Sequence, residues 1–399
     1  MTRDIFTRIN TGLRAGDLYA KATVAAGVFF AVFAVAYLAQ LRHWHEALGN
    51  LIGRDFVNTW MGARAALSGQ VQQLFDFPTY LRALVQTLGP LPPHNWSYPP
   101  HLLLFIWPLG YMPYLGACAV WSLSGLALYL SVGKDRSPAN LVFLAVAPAV
   151  AINLLSGQNG FFTAALLILA IRTVDERPIV AGICLGVLTI KPQLGFLFPL
   201  ALLLSGRTRC LVTAAATTFA LIGLTGAIFG MQVWYDYLHL AIPVQHEVLN
   251  TATGIPTLMM PSAYMNARLW GATPTIAWIV QIPFSLLAIT AVVWTFMRNR
   301  DPMLSFAILI TAGFVVSPYV FGYDMVVFGW LIATVRQRLS GIWDARLALT
   351  VWTLPVTMIV FGLCKLPLAA PIMAAFLLRL VWILHRQAAP ALRCAGQPA

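Results

Sequence analysis

The chain has 399 residues, of which 59% are hydrophobic and only 10% are charged. A soluble domain carries about a quarter charged residues, so this composition excludes an ordinary soluble fold and indicates a membrane protein. We interpret the net charge of +12 as a signal of membrane topology rather than of nucleic-acid binding. Five scattered cysteines form no CxxC pair, so we expect them to pack between helices.

Twelve apolar runs predict an all-α polytopic membrane protein with about 12 transmembrane helices, if each run crosses once. The first lacks an A-x-A site, which favours an uncleaved helix. The pair 178–190 and 192–205 is either two spans or a re-entrant hairpin, since only three residues separate its members. The runs cover residues 20–41, 101–132, 139–155, 159–172, 178–190, 192–205, 208–230, 274–297, 302–317, 324–336, 347–363 and 366–384.

The distribution of positive residues predicts the orientation of these runs. With a cytoplasmic N-terminus, 18 of the 25 Lys and Arg residues fall on the inner side, as the positive-inside rule requires. We therefore predict one integral membrane domain over 1–399, with residues 1–21 and 386–399 in the cytoplasm. The two long loops, 43–100 and 231–273, then face outward, and we expect the functional site on that side.

The first outward loop is predicted to contain short helices. Apolar spacing predicts a helix from Asp55 to Leu67 that Gly69 ends, and a second helix from Thr79 to Leu88 with Thr79 as its cap. The Pro-rich segment 89–100 cannot be helical inside, so we expect an extended strap with Trp96 and Tyr98 at the membrane interface.

Asp55 is the leading candidate for a catalytic group, because it is an acid at the start of the first outward helix. It is interpreted either as a general base or as the N-cap of the following helix. Arg54 and Arg64 are interpreted either as its ion-pair partners or as contacts to a phosphate or an acceptor. The same loop and its end supply Asn58, Tyr98 and His101 as further substrate-binding candidates.

Lys191 is the second candidate, because a charge between two apolar runs is unfavourable in a membrane and indicates function. Lysine is a compact partner for a phosphate, and Gln193 follows it as a further substrate-binding candidate. The alternative is a lysine that snorkels to the outer interface.

Two polar breaks between apolar runs supply the remaining candidates. In the break 156–160, Gln158 and Asn159 are predicted to hydrogen-bond sugar hydroxyls, with a plain turn as the alternative. In the break 317–324, Tyr319 and Tyr323 are candidates for stacking on a sugar or a lipid. Asp324 either binds substrate or caps the next helix. Aromatic residues at this level also occur in the ordinary interfacial belt.

Nothing in the sequence indicates a metal or nucleotide site. Six histidines fall in the outward segments without an HExxH or HxxxH pattern, and no P-loop, GxGxxG or GxSxG motif occurs. We therefore expect no metal and no cofactor.

The order of the motifs resembles the bacterial polyprenyl-phosphate-sugar-dependent glycosyltransferases of family 87, in the GT-C superfamily. The similarity extends from about residue 20 to 335. The motifs are R-D-F-x-x-x-W-x-x-A-R-A-A-L-x-G at 54–69, W-S-Y-P-P-H-L-L-L-F-I-W-P-L at 96–109, S-G-Q-N-G at 156–160, A-G-I-C-L-G-V-L-T-I-K-P-Q-L-G at 181–195 and S-P-Y-x-x-x-Y-D at 317–324.

The resemblance implies a GT-C fold with short periplasmic helices, in the bacterial inner membrane, and an active site that faces the periplasm. It implies an inverting hexosyltransferase that moves a sugar, mannose in the mycobacterial members, from a polyprenyl-phosphate donor to a lipid or glycan acceptor. Asp55 matches the family's general base, and we choose Lys191 as the cation for the leaving phosphate. Members often carry a His near the late S-P motif, where Tyr319 and Tyr323 stand here.

Two other classes of function fit the sequence less well. A transporter or flippase of a lipid-linked or polar solute is expected to have similar loops on both faces, whereas the long loops here lie on one side. A lipid-modifying acyltransferase needs a His-Asp pair, and His43 and Asp55 are poorly spaced for one. The expected partners are therefore the lipid-linked donor, the acceptor and membrane lipids, without nucleic acid.

Overall fold

The fold was analysed in a computed structural model that describes residues 15–41, 45–46, 49–251, 253–298, 301–339 and 341–387. These residues form helices and no β-strand, with a single antiparallel bridge between His45 and Leu51. The protein is thus an all-α polytopic membrane protein, as predicted. Parts of the predicted cytoplasmic ends, residues 1–14 and 388–399, lie outside the described residues, as does His43.

The N-terminal half contains helices of very different lengths. They are α1 (Ala15–Ala39), α2 (Phe56–Ser68), α3 (Phe77–Leu88), α4 (Leu103–Ile106), α5 (Tyr114–Gly133), α6 (Pro138–Ala145), α7 (Pro148–Ser156), α8 (Gly160–Thr173), α9 (Pro178–Val187), α10 (Pro192–Gly195) and α11 (Phe198–Leu204). Four 3₁₀ turns lie between them, at Val71–Leu74, Pro100–Leu102, Trp107–Tyr111 and Leu188–Ile190.

The C-terminal half continues the pattern of long helices and short connecting ones. It contains α12 (Thr208–Phe229), α13 (Gln232–Asp236), α14 (Ile242–Thr251), α15 (Ile255–Leu258), α16 (Ala263–Leu269), α17 (Pro274–Phe296), α18 (Pro302–Val316), α19 (Val326–Val335), α20 (Ile342–Leu363) and α21 (Ala369–Arg386). A π-helical turn at Tyr237–Ala241 joins α13 to α14, and a 3₁₀ turn at Gly322–Met325 leads into α19.

Within the described ranges, six helices are long and apolar enough to cross a membrane: α1, α5, α12, α17, α20 and α21. The pair α6 and α7, bent by 45° before Pro148, makes a seventh if it is one span. All twelve predicted apolar runs coincide at least in part with helices, but five helical segments are only 10–17 residues long. The predicted number of crossings, including the state of 178–205, therefore stays a prediction.

Short helices lie inside the bundle and long ones lie around it. Nearly every residue of α18 and α19 is buried, whereas only 6% of the apolar window of α1 and 11% of that of α12 are buried. Non-helical backbone is tolerated at membrane depth where it is enclosed by protein. The breaks beside the inner helices can therefore hold polar side chains, and the candidate site is built there.

The first long loop folds onto the end of this bundle. Helix α2 ends at Ser68, before Gly69 in the left-handed region with φ of 72°, so the predicted helix is confirmed. The predicted cap of the next helix is wrong, because Asp76 rather than Thr79 caps α3 and accepts a hydrogen bond from the Thr79 backbone N at 3.2 Å. The sequence signal was an Asp two residues before a Pro in the first turn.

The predicted strap 89–100 is non-helical over 89–99, with Pro100 starting a 3₁₀ turn, but its aromatic residues do not lie at an exposed interface. Trp96 and Tyr98 are only 2% and 5% exposed, and the Trp96 indole donates a hydrogen bond to the Tyr98 carbonyl at 2.8 Å. The Trp96 ring packs on Gly62 of α2, where a side chain would collide with it. Both rings therefore belong to the core of the loop region.

The second long loop packs against the first. The ring of Tyr237 meets the ring of Phe75 edge-on at 6.4 Å, and Gln245 donates a hydrogen bond to the Ser97 carbonyl at 2.8 Å. Residues of both loops share one apolar cluster, which also includes Ile190 from the break before Lys191. The two loops thus form one layer over the helix breaks.

Candidate active site

Asp55 lies at a tight turn that precedes α2. Gly53 and Arg54 both have positive φ, 80° and 37°, and this turn brings Asp55 to the N-cap position. Its side chain makes no capping hydrogen bond. One carboxylate oxygen instead accepts a hydrogen bond from the amide nitrogen of Gln158 at 3.0 Å, although 103 residues separate the two. The carboxylate is therefore directed towards the polar break 156–160 and not towards its own helix.

Gln158 is oriented by a second hydrogen bond. The Tyr98 hydroxyl donates to the Gln158 amide oxygen at 2.6 Å, so the amide nitrogen points at Asp55. Burial raises the pKa of Tyr98 well above its ordinary value of 10, and the negative charges of Asp55 and Asp324 raise it further. The hydroxyl consequently remains a protonated donor at neutral pH. The three residues form a chain from the strap to the carboxylate.

Two glycines let the break 156–160 fit between its neighbours. A Cβ atom on Gly157, which has φ of 57°, would lie 2.5 Å from Cβ of Phe56 and 2.6 Å from the carbonyl oxygen of Gly53. A Cβ atom on Gly160 would collide with the carbonyl oxygen of Tyr323. The turn before α2 and the segment before α19 therefore meet on opposite sides of this short hairpin.

Lys191 and Asp324 form a buried ion pair at the helix breaks. The Lys191 ammonium lies 2.5 Å from one carboxylate oxygen of Asp324, and the two residues are 5% and 2% exposed. The ammonium also lies 4.7 Å from the ring centroid of Tyr323. The other oxygen of Asp324 accepts a hydrogen bond from the Phe321 backbone N at 3.2 Å. Asp324 thus acts as a local cap, one of its two predicted roles, and also binds a distant cation, while its predicted contact to substrate stays a prediction.

These groups surround a small polar cavity of about 60 Å³. It joins Lys191 and Asp324 on one wall to Tyr98 and Gln158 on another, with Asp55 hydrogen-bonded to that second wall. A cavity of this size holds only a few water molecules, so a sugar needs a wider opening. Other predicted site residues in the lining are Gln193, Tyr319 and Tyr323.

Two predicted arginines make contacts away from this cavity. Arg54 forms an ion pair with Glu46 at 2.9 Å, and the hydroxyl of Tyr37 donates to the same carboxylate at 2.8 Å. Arg64 is exposed and lies over the Trp60 ring at 5.0 Å. Arg54 therefore supports the turn that carries Asp55, while Arg64 faces the surroundings of the protein. Their predicted contacts to substrate stay predictions.

Three predicted polar residues are buried beside the cavity without lining it. Asn58 accepts a 2.5 Å hydrogen bond from the Tyr80 hydroxyl. His101 shares a 3.2 Å hydrogen bond with Thr189, and burial lowers its pKa from 6.5 to about 4. Asn159 is 2% exposed, and neither atom of its amide has a hydrogen-bond partner among the described residues. Their predicted contacts to substrate also stay predictions.

The structure adds three polar cavity residues that the sequence did not indicate. Ser97, Tyr237 and Gln245 all line it. Tyr237 belongs to the π-helical turn, a distortion that is frequent at functional sites. The second long loop was predicted to face the same side as the first, but no local pattern marks these residues. Among the described residues, no cluster of three or more His, Cys, Asp or Glu side chains is arranged to hold a metal.

The fold and the site together define a polytopic membrane protein in which an acid, an amide and a lysine from distant segments meet at one polar cavity. The sequence model of one protein family, glycosyltransferase family 87, matches residues 96–318. Since this match spans more than half of the chain, the protein belongs to glycosyltransferase family 87 and is a glycosyltransferase. Comparison with curated proteins and with solved structures gives no further match.

The matched range contains Tyr98, Gln158 and Lys191 but not Asp55 or Asp324. The structure connects these two acids to the matched segment, because Gln158 binds Asp55 and Lys191 binds Asp324. The family match therefore does not depend on these two acids, and their contacts are known from the structure alone.

Proposed function

We propose that this glycosyltransferase moves a sugar from a polyprenyl-phosphate donor to a hydroxyl of a lipid or glycan acceptor, with inversion at the anomeric carbon and Asp55 as general base. The observation that carries the proposal is the Asp55 carboxylate, which makes no helix cap and is held by Gln158 at the cavity wall. Mannose is the proposed sugar, as the resemblance to the mycobacterial members implies.

Asp55 suits the role of base because its charge is not neutralised by a neighbour. Arg54, the adjacent cation, is bound to Glu46. Within the described part of the chain, Asp55 forms no ion pair, and its known partner is the neutral amide of Gln158. A carboxylate held by one neutral donor keeps its second oxygen available for the proton of an acceptor hydroxyl.

The proposed reaction is a single displacement. The acceptor oxygen attacks the anomeric carbon while its proton passes to Asp55, and the bond between the anomeric carbon and the phosphate oxygen breaks. The bonding electrons leave with the phosphate, so polyprenyl phosphate departs, and the proton on Asp55 later passes to solvent. Attack from the face opposite the leaving phosphate inverts the anomeric configuration.

Lys191 is the proposed cation for the leaving phosphate. An ammonium has three N–H donors, and Asp324 occupies one of them at 2.5 Å. The others are available to phosphate oxygens, and the buried position strengthens their interaction with a developing charge. Because the cavity measures about 60 Å³, donor binding has to displace the non-helical segments that line it, 97–99 and 319–321.

The test uses purified full-length protein with a radiolabelled mannosyl polyprenyl phosphate and a total extract of membrane lipids as acceptors. The expected result is transfer of the label from the acid-labile phosphate ester to an acid-stable product, with release of polyprenyl phosphate. Recovery of the intact donor, or transfer from a nucleotide sugar instead, would contradict the proposal. Arg82→Gln is the matched control, because it removes an exposed charge from helix α3 of the same loop and Arg82 does not line the cavity.

A further inference from the structure

Two adjoining cavities lie at the end of the bundle opposite the candidate active site. The larger, about 730 Å³, follows the first turns of α1, from Ala15 to Val24. The far end of the same helix carries Tyr37, which binds Glu46 beside the Asp55 turn. The helix rises ~20 Å from Val24, the cavity residue of α1 nearest to Tyr37, so the cavity and the Asp55 turn lie towards opposite ends of α1.

The larger cavity is an apolar groove between α1 and α6. Its walls include Val24, Val142 and Phe143. Helix α1 is long enough to span a membrane and is largely exposed, so the groove opens to the surroundings of the bundle. Its volume lies within the roughly 300–1,000 Å³ of ligand sites, and its walls suit a hydrocarbon chain.

The smaller cavity, about 210 Å³, is polar and joins the groove at Arg336 and Gln337, which line both. It also contains Arg172 and Asp135. Asp135 accepts hydrogen bonds from the Asn140 amide and from the Ser137 backbone N, and Arg172 donates to the Lys134 carbonyl at 3.0 Å.

Arg336, like Arg172 and Asp135, forms no ion pair within the described residues, but unlike them it lines both cavities. Its guanidinium group stands at the junction of an apolar groove and a polar cavity. That junction lies near the end of α1, where the headgroup region of a membrane begins. An arginine in this position fits a phosphate with both nitrogen edges.

Tyr19 supplies a second observation in the same wall. The residue is 5% exposed, and its hydroxyl has no hydrogen-bond partner in the described part of the chain. A buried hydroxyl without a partner is unfavourable, and a phosphate or ester oxygen at the groove would accept its hydrogen bond.

We propose that this groove binds a membrane phospholipid, with an acyl chain between α1 and α6 and the phosphate on Arg336. An acyl chain would fill the apolar volume of the groove, whereas a free phosphate would leave it unfilled. The N-terminal segment 1–14 contains Arg3, Arg8 and Arg14 but only one acid, so its charge opposes binding at Arg336. A bound phospholipid would connect the sparsely buried α1 to the bundle.

Native mass spectrometry of the full-length protein, delipidated in detergent and titrated with dioleoyl phosphatidylglycerol, tests this proposal. The wild-type protein should bind one molecule of this lipid more tightly than any further molecules of it. Arg336→Gln should raise the Kd for that lipid about tenfold, because a charged hydrogen bond is lost, and Arg336→Lys should recover part of the affinity. Val142→Trp fills the groove while it keeps Arg336, and should abolish binding of that lipid.

Arg346→Gln is the matched control, since it removes an exposed arginine that lines neither cavity and should leave the first lipid bound. Equal lipid affinity in the wild type, Arg336→Gln and Val142→Trp would overturn the proposal. Complete competition by inorganic phosphate would also overturn it and would assign the site to a free anion. Tight binding that appears only after residues 2–14 are deleted would show that this segment occupies the groove, which equally overturns it.

Discussion

Asp55 and Asp324 lie close enough to Tyr98 to raise its pKa, but their surroundings differ. Asp55 is partly exposed and is held by the neutral amide of Gln158, whereas Asp324 is 2% exposed and is bound to the Lys191 ammonium. A carboxylate held by an amide can receive a proton. A carboxylate bound to a buried ammonium is already engaged in an ion pair.

The difference between the acids separates two tasks of a glycosyl transfer. One acid is positioned to accept the proton of the acceptor, and the other holds the cation that would receive the leaving phosphate. The hairpin 156–160 keeps them apart, because Gly157 packs on the turn before α2 and Gly160 packs on the Tyr323 carbonyl. Substitutions at the ion pair and at the groups that hold Asp55 should affect these two tasks to different degrees.

Removal of the Lys191 charge should have the largest combined effect, because it lowers stability as well as turnover. Lys191→Met leaves Asp324 buried without its cation, which should reduce the free energy of unfolding by about 3–5 kcal/mol. Turnover should fall about 10²–10³-fold, because the leaving phosphate loses its donor. Thermal unfolding in detergent and the sugar-transfer rate measure the two effects separately.

The double variant Lys191→Met/Asp324→Asn distinguishes a structural lysine from a donor-binding one. It removes both charges and keeps an acceptor for the Phe321 backbone N, so stability should recover while turnover remains low. Recovery of turnover together with stability would make Lys191 a structural residue.

His101 is a further titratable group near the site, and its effect should be confined to acid conditions. Its pKa of about 4 in the folded protein is lower than the ordinary 6.5, so unfolded chains bind the proton first as the pH falls. The folded state should lose up to about 3 kcal/mol between pH 6.5 and 4, and His101→Phe should remove this loss. Unfolding temperatures measured over this pH range check it, and an unchanged pH dependence in the variant would contradict it.

Gln158→Leu should weaken the positioning of the Asp55 carboxylate without affecting the ion pair between Lys191 and Asp324. The variant loses the donor that holds the carboxylate, so turnover should fall about tenfold while donor affinity stays near that of the wild type. Steady-state kinetics with varied donor concentration separate the two parameters. A change in donor affinity alone would indicate that Gln158 contacts the sugar directly.

Tyr98→Phe should give the smallest effect, about a fivefold loss of turnover, because it removes only the hydrogen bond that orients Gln158. Since the pKa of Tyr98 is raised, its hydroxyl stays protonated, and it should add no alkaline titration to the pH–rate profile below about pH 10. A basic limb that disappears in Tyr98→Phe would contradict this assignment.

Much of the helical architecture followed from the sequence, and the failures have local causes. The lengths of the apolar runs identified the long helices, and the apolar spacing followed by Gly69 identified α2. The cap of α3 was misassigned because two candidate caps, Asp76 and Thr79, lie within one turn. Burial of Trp96 and Tyr98 could not be foreseen, because the surface that covers them comes from α2 and from the second long loop.

The site was predicted in parts but not as an assembly. Local breaks in apolar runs indicated Gln158, Lys191 and Asp324 individually. Their pairing across 103 and 133 residues depends on how the inner helices pack, which no local pattern encodes. In the sequence, Arg54 is a cation next to Asp55 and could pair with it. The fold shows that Arg54 binds Glu46 instead.

The most direct test of the central claim is the single-turnover rate of Asp55→Asn with saturating lipid-linked donor and acceptor. The substitution keeps the size of the side chain and removes its ability to accept the proton. We predict a rate about 10²–10⁴-fold below that of the wild type, with an unchanged unfolding temperature and unchanged donor binding. A wild-type rate from a fully folded Asp55→Asn protein would show that Asp55 is not the base.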